Sequence, residues 1–264
     1  MIPIALTIAG SDSGGGAGIQ ADLKTFHAFG VFGTSALTAV TVQNTRGVSG
    51  VHPIPVDVVQ AQIAAVAEDL RPAALKTGML ATAELVRAVA ESIREHRLAN
   101  LVVDPVMAAT SGDRLLASHA ERAIVADLLP LAALVTPNLP EAAILVGQPV
   151  DDEEGMRRAA RRLVEMGAAA ALVKGGHLGG EELVDVLYDG RGWRAWRRPR
   201  LDTRNTHGTG CTLSAAVAAG LAHGRPLAQA VGDAVDYVAR AIASAPGLGA
   251  GHGPLNHMVA GPAL

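Results

Sequence analysis

The segment Thr206-His207-Gly208-Thr209-Gly210-Cys211-Thr212 places glycines on both sides of a threonine at the start of a helical pattern. Small residues there let backbone N–H groups point at an anion, and the helix dipole adds positive charge at the same end. Gly208, Thr209 and Gly210 therefore read as a cradle for an oxyanion or phosphate. The plainer alternative is an N-cap by Thr209. A second stretch, Ala9-Gly10-Ser11-Asp12-Ser13-Gly14-Gly15-Gly16-Ala17-Gly18-Ile19-Gln20-Ala21-Asp22, joins a strand pattern to a helix pattern. Gly16, Gly18 and Ala21 satisfy the G-x-G-x-x-G/A spacing, but no acidic residue falls between Asp22 and Asp57 to hold a ribose. That absence argues against a dinucleotide site. Glycines beside Ser11, Asp12 and Ser13 fit close backbone approach to a small substrate, with Asp22 facing it.

Two carboxylates end or follow apolar strand patterns. Asp104 closes Leu101-Val102-Val103-Asp104, and Glu141 follows Thr136-Pro137-Asn138-Leu139-Pro140. At neighbouring strand ends they could hold Mg²⁺ through water and phosphate oxygens. Glu141 fits equally well as an acid at a helix N-terminus. The chain has three lysines, Lys24, Lys76 and Lys174. Lys174 precedes two glycines at a strand end, so it reads either as a phosphate contact or as a solvated strand end. No Gly-Lys-Ser or Gly-Lys-Thr is present, which excludes a P-loop. The histidines are scattered and no His-Glu-x-x-His occurs, which argues against zinc.

These residues need a scaffold that brings strand ends together. Strands are predicted at Ile4–Ala9, Ser35–Val42, Ala74–Thr77, Leu101–Asp104, Ala133–Thr136 and Ala170–Lys174. Helices are predicted at Gly18–Phe29, Pro55–Leu70, Ala83–Arg97, His119–Leu129, Glu141–Val146, Glu153–Met166, Thr209–His223 and Leu227–Ala243. The alternation implies an α/β fold with a mostly parallel sheet, helices on both faces and right-handed crossovers. Glu182–Leu187 and Trp193–Arg197 flank Tyr188-Asp189-Gly190-Arg191-Gly192 and predict an antiparallel edge hairpin. In such a sheet ligands collect beyond the carboxyl ends of the strands, where every motif above falls.

Composition narrows the class. The chain of 264 residues is 49% hydrophobic and 18% charged, enough for one large core, and residues 1–264 read as one domain. Net charge is −3, and the Arg-dense stretches Arg157–Arg162 and Arg191–Arg204 read as a solvated helix face and a solvated edge, not as a nucleic-acid surface. Cys211 is the one cysteine, which fits a reducing, cytoplasmic setting. The N-terminus lacks a basic n-region, so it does not read as a signal peptide. The uncharged stretch Asn205–Gly224 carries polar residues and reads as a buried helix, not a membrane span. The tail Pro246–Leu264, rich in Gly, Pro and Ala, is expected to be poorly ordered.

Together these motifs resemble the hydroxymethylpyrimidine/phosphomethylpyrimidine kinase family, from Ile4 to about Gly220. The most specific parts are Ala9–Asp22 and His207–Cys211. The resemblance implies a ribokinase-like three-layer sandwich, ATP and Mg²⁺ as cofactors, and a small pyrimidine as substrate; the expected assembly is a homodimer. In the wider superfamily the second glycine-rich stretch ends in an Asp general base. Cys211 at that place resembles this family and not sugar kinases. The resemblance implies Cys211 as catalytic base with Gly208, Thr209 and Gly210 as anion hole. It implies that Asp104 and Glu141 organise Mg²⁺ and nucleotide phosphates, and that Lys174 contacts phosphate. Gln43 would bond the aminopyrimidine, with Gly10, Asp22 and Met79 lining its pocket. Members often carry Lys in the loop after Asp104-Pro105-Val106, where this chain reads Met107-Ala108-Ala109-Thr110-Ser111-Gly112-Asp113. Lys174 would then supply the missing positive charge if that loop closes. The Cys211 thiol, at a helix N-terminus, is expected to have a lowered pKa. Competing readings are a pyridoxal or pyridoxine kinase of the same superfamily, a pyrimidine-binding protein without catalysis, and, third, a dehydrogenase.

Overall fold

In a computed structural model the described residues are 2–107, 119–176 and 178–263. Among them one sheet takes the order β3 (Gly47–Pro53), β2 (Phe32–Asn44), β1 (Ile4–Asp12), β4 (Ala74–Thr77), β5 (Leu101–Val103), β6 (Ala132–Val135), β7 (Ala171–Lys174), β8 (Glu182–Tyr188), β9 (Trp193–Pro199). Its middle is parallel: β2, β1, β4, β5, β6 and β7. Strands β8 and β9 form the expected antiparallel edge hairpin.

The central strands are apolar on both faces because helices cover both. Leu6, Ile8, Leu75, Leu101, Val103, Val135 and Val173 meet α2 (Val56–Asp69), α3 (Ala83–Glu95), α5 (Leu139–Val146) and α6 (Glu153–Glu165). The alternate residues Ala5, Val102, Leu134 and Leu172 meet α1 (Gly18–Ala28), α7 (Thr209–Ala222) and α8 (Leu227–Ala243). Helix α7 is buried along most of its length and made of small residues. A Cβ on Gly220 would stand 2.8 Å from the Ala230 Cβ, so Gly and Ala set the close approach of α7 to α8.

Four expectations need correction. The opposite sheet edge also carries an antiparallel strand, β3 (Gly47–Pro53), which pairs with a β2 longer than Ser35–Val42. Its side chains are mostly exposed, so it lacked an apolar pattern to announce it. The helix expected at His119–Leu129 is α4 (Ala120–Ala123), widened into a π turn at Ile124–Leu128 and ended by a 3-10 turn containing Pro130. The stretch from Arg191 to Arg204 is not simply solvated: Arg198 bonds the buried Asp185 at 2.6 Å, and Asp185 also accepts the Gly175 N–H. Finally, the tail is tied down. His252 N–H donates to Thr45 O (2.8 Å), His207 N–H to Gly253 O (3.1 Å) and Asn256 N–H to Ala241 O (3.0 Å), while Leu255 is buried in the core. Backbone bonds and one apolar anchor offset the low apolar content of that segment.

Candidate active site

A cleft of about 930 Å³ opens beyond the carboxyl ends of the parallel strands and is bounded by the N-termini of α1, α5 and α7. Cys211, Gly208, Thr209, Gly210, Gln43, Met79, Gly10, Lys174, Asp104 and Glu141 all line it.

At one end sits a dense group of charges. Asp104 leaves β5, and its Oδ1 accepts from Lys174 Nζ at 3.1 Å. Thr136 and Ser214 hydroxyls stand 3.3 Å from its two oxygens. A Cβ on Gly210 would lie 3.1 Å from Lys174 Nζ and 3.6 Å from Asp104 Oδ2, so glycine lets the first turn of α7 settle on this pair. Gly208 has φ 82 and no side chain caps α7. Thr209 is thus not the cap; its hydroxyl donates to Thr206 O at 2.8 Å. An uncapped helix N-terminus beside a lysine is built for an anion.

Of the two readings that its sequence position left open, Glu141 takes that of the acid at a helix N-terminus. It closes a capping box with Asn138, accepting the Asn138 N–H at 2.8 Å while its own N–H meets Asn138 Oδ1 at 2.9 Å. It also faces Asp104 and Lys174. Burial pushes its carboxyl up to about 7, Lys174 opposing and Asp104 adding to the rise. Lys174 is nearly buried; the loss of water lowers its pKa, but the carboxylates of Asp104 and Glu141 outweigh that and keep it above the usual value.

The sequence reading missed Lys76. It is fully buried, reaches the cleft, and forks onto Asp22 at 2.9 and 3.0 Å. Asp22 does not line the cleft. It lies beneath it, fully buried, accepting from Thr7 Oγ1 at 2.6 Å as well. Its expected contact with substrate is therefore corrected to a support for Lys76. The available signal was a lysine inside the otherwise apolar run Ala74-Leu75-Lys76-Thr77, in a chain with three lysines.

Cys211 also departs from expectation. Burial pushes its thiol up to about 11, against the pull of Lys76 and of the Gly18 N–H. The helix dipole does not overcome loss of water, and Asp22 and Asp104 add repulsion.

The other end of the cleft has fewer charged groups. Asp12 gathers the glycine-rich turn, accepting N–H groups of Gly14, Gly16 and Ala17, and joins His207 at 2.8 Å. Thr41 and His207 flank the Gln43 carboxamide. A Cβ on Gly10 would stand 2.5 Å from Met79 Cε, so this glycine is what lets Met79 lie across the cleft. The lid and the missing lysine expected after Val106 concern residues 108–113, which lie outside the described residues, as does His177.

The phosphomethylpyrimidine kinase model matches residues 12–256. The chain belongs to that family. Over 260 residues it is 53% identical to the hydroxymethylpyrimidine/phosphomethylpyrimidine kinase of Rhizobium meliloti, covering 97% of each chain. The same-named Escherichia coli protein is 48% identical over 96% of both. It is 51% identical to the thiamine biosynthesis bifunctional protein ThiED of Geobacter sulfurreducens and spans about half (52%) of that relative. Among solved structures, a Bacillus subtilis pyridoxal kinase in an ADP complex superposes with TM-score 0.91 at 40% identity, covering 97% of this chain and 98% of that one. The phosphomethylpyrimidine kinase of Clostridium difficile gives 0.82 at 40% identity, covering 91% and 99%. The fold of this phosphomethylpyrimidine kinase family member is thus a ribokinase-like three-layer sandwich, as the resemblance implied.

Asp104 and Glu141 suit Mg²⁺ in kind. Both offer hard oxygens in a shared pocket, and among the described residues no third carboxylate, His or Cys joins them. A bound cation would take its remaining ligands from water and phosphate.

Proposed function

We propose that this chain is an ATP-dependent kinase acting on 4-amino-5-hydroxymethyl-2-methylpyrimidine and then on its monophosphate, giving the diphosphate used in thiamine biosynthesis. The observation that carries the reading is one cleft joining an uncapped helix N-terminus with Lys174 and Asp104 at one end to Gln43 and Met79 at the other. Family membership supports it, and ATP use is supported by likeness to a Staphylococcus aureus pyridoxal kinase solved with AMP-PCP.

Phosphoryl transfer is mostly positioning and charge stabilisation. The hydroxymethyl oxygen bonds to the γ-phosphorus of ATP as the bond to the bridging oxygen of ADP breaks. The N-terminus of α7 and Lys174 face the phosphate charge, and Lys76 adds a fixed positive charge below. Mg²⁺, held by Asp104 and Glu141 through water, would neutralise phosphate oxygens. Cys211 receives the hydroxyl proton, acting through its thiolate fraction. The second transfer needs no such base, because the phosphate nucleophile is already anionic. We further propose that the whole chain works as one kinase domain in the cytoplasm and as a homodimer. Exposed Val40, Val42 and Val51 on the β2–β3 edge support a second copy there. Sedimentation would test it.

A second reading, a pyridoxal kinase, is favoured by the TM-score of 0.91 to the Bacillus subtilis enzyme. Mass spectrometry of products from ATP with the hydroxymethylpyrimidine and, in parallel, with pyridoxal decides between them. A mono- and then a diphosphate of the pyrimidine is the expected result; phosphate appearing on pyridoxal alone would overturn it.

A further inference from the structure

Three side chains that phosphoryl transfer leaves unused surround Gln43. Asp12 accepts Gly14 N–H at 2.8 Å, Gly16 N–H at 3.0 Å and Ala17 N–H at 2.9 Å, and His207 Nε2 stands 2.8 Å from its Oδ2. Burial works against its charge, but His207 and these N–H groups hold the carboxyl below its usual range. An ionised carboxylate only accepts, so the proton of the His207 contact sits on Nε2. On the opposite side, Thr41 has one hydroxyl proton and donates it to Ser11 O at 2.7 Å. Its lone pairs therefore face one end of the Gln43 carboxamide at 3.0 Å, while the other end lies 3.5 Å from His207 Nε2. Carboxamide oxygen and nitrogen have the same shape, and their partners decide which is which. Nitrogen beside the His207 N–H would set donor against donor. Oxygen beside Thr41 would set acceptor against acceptor. The reverse placement lets the nitrogen donate to Thr41 Oγ1 and removes the clash of donors at His207, whose Nε2 proton is already given to Asp12.

We propose that Thr41 and His207 lock the Gln43 carboxamide with its oxygen toward His207 and its nitrogen toward Thr41, so that a heterocycle binds with its amino donor on the His207 side and its ring acceptor on the Thr41 side. This deepens the pyrimidine reading above and rests on it for the identity of the heterocycle. Thr41 and His207 are positioning residues; they act through Gln43. A 4-oxo pyrimidine, with a carbonyl acceptor beside a ring N–H, presents the opposite pattern and leaves buried groups unpaired.

Two measurements test the lock separately from the substrate. In the ligand-free protein, NMR should show the Gln43 carboxamide protons close to the Thr41 methyl and not to the His207 ring protons. Proximity to the His207 ring overturns the lock whatever the substrate is. In kinetics, wild type should prefer the 4-amino over the 4-oxo pyrimidine in kcat/KM by roughly tenfold to a hundredfold. Thr41→Val should lose most of that preference with KM for ATP unchanged, and Thr41→Ser, which keeps the hydroxyl, should retain it. A Thr41→Val protein with the wild-type preference overturns the role of Thr41. If neither pyrimidine is phosphorylated while NMR gives the expected proximity, the substrate reading fails and the lock stands.

Discussion

The two ends of the cleft are built on opposite principles. Around the N-terminus of α7, Asp104, Glu141, Lys76 and Asp22 are buried and Lys174 is nearly so, and the proton affinities of Asp22, Lys76, Glu141 and Lys174 are shifted by burial and by neighbouring charges. Around Gln43, apart from the Asp12–His207 contact, Thr41, Gly10 and Met79 work through uncharged hydrogen bonds and shape. A developing phosphoryl charge needs fixed charge in a dry site, where it acts strongly. A neutral heterocycle needs paired donors and acceptors, because a mismatch leaves buried groups unpaired. Substitutions at the charged end should therefore move kcat and stability, and those at the neutral end should move KM for one substrate.

The sharpest break is Cys211→Ala. Loss of a positioned base should lower kcat on the alcohol by about 10²–10⁴ and affect the monophosphate much less. With the thiol pushed up to about 11, the thiolate fraction rises as pH rises below that value. The rate on the alcohol, and alkylation of Cys211 by iodoacetamide, should both climb from pH 6.5 to 9 in wild type. Flat profiles in both would remove Cys211 from proton transfer. Lys76→Met comes next. It strands Asp22 as a buried charge without its partner and should cost about 3–5 kcal/mol in urea unfolding. Lys76→Met/Asp22→Asn, with both charges gone, should recover most of that; equal instability in the two variants would mean that packing, not charge, is at stake.

At the neutral end, Gln43→Ala should raise KM for the pyrimidine roughly tenfold to a hundredfold and leave KM for ATP unchanged. Parallel changes in both constants would make Gln43 structural and erase the contrast between the two ends. The smallest effect is expected at Glu141→Gln, where the Mg²⁺ concentration for half-maximal rate should rise roughly tenfold. The same variant carries a sign test. Wild-type Glu141 titrates near 7 folded against 4.5 for an ordinary Glu, so the folded chain holds the extra proton between those values. That contribution to stability is present below about pH 4.5 and lost as pH rises through 7. Glu141→Gln should flatten this slope in denaturant titrations.

Local chemistry was legible in the order of residues. Apolar strand runs, glycine-rich turns and the carboxylates after strands located the parallel sheet, the edge hairpin and most of the cleft lining, because strand ends in such a sheet must converge. The resemblance carried by Ala9–Asp22 and His207–Cys211 supplied the family. What the sequence could not determine were quantities set by several segments at once. Asp22 sits next to the glycine-rich turn in sequence, yet only the packing of α1 against β4 pairs it with Lys76 and withdraws it from the cleft. A helix N-terminus alone argued for an acidic thiol, but burial among Asp22 and Asp104 reversed the sign at Cys211. The tail looked unstructured by composition, and its backbone bonds to Thr45, His207 and Ala241 exist only after the sheet has formed. Type and spacing of residues decide which chemistry is available; desolvation and charge partners, which are properties of the folded chain, decide which proton each group keeps.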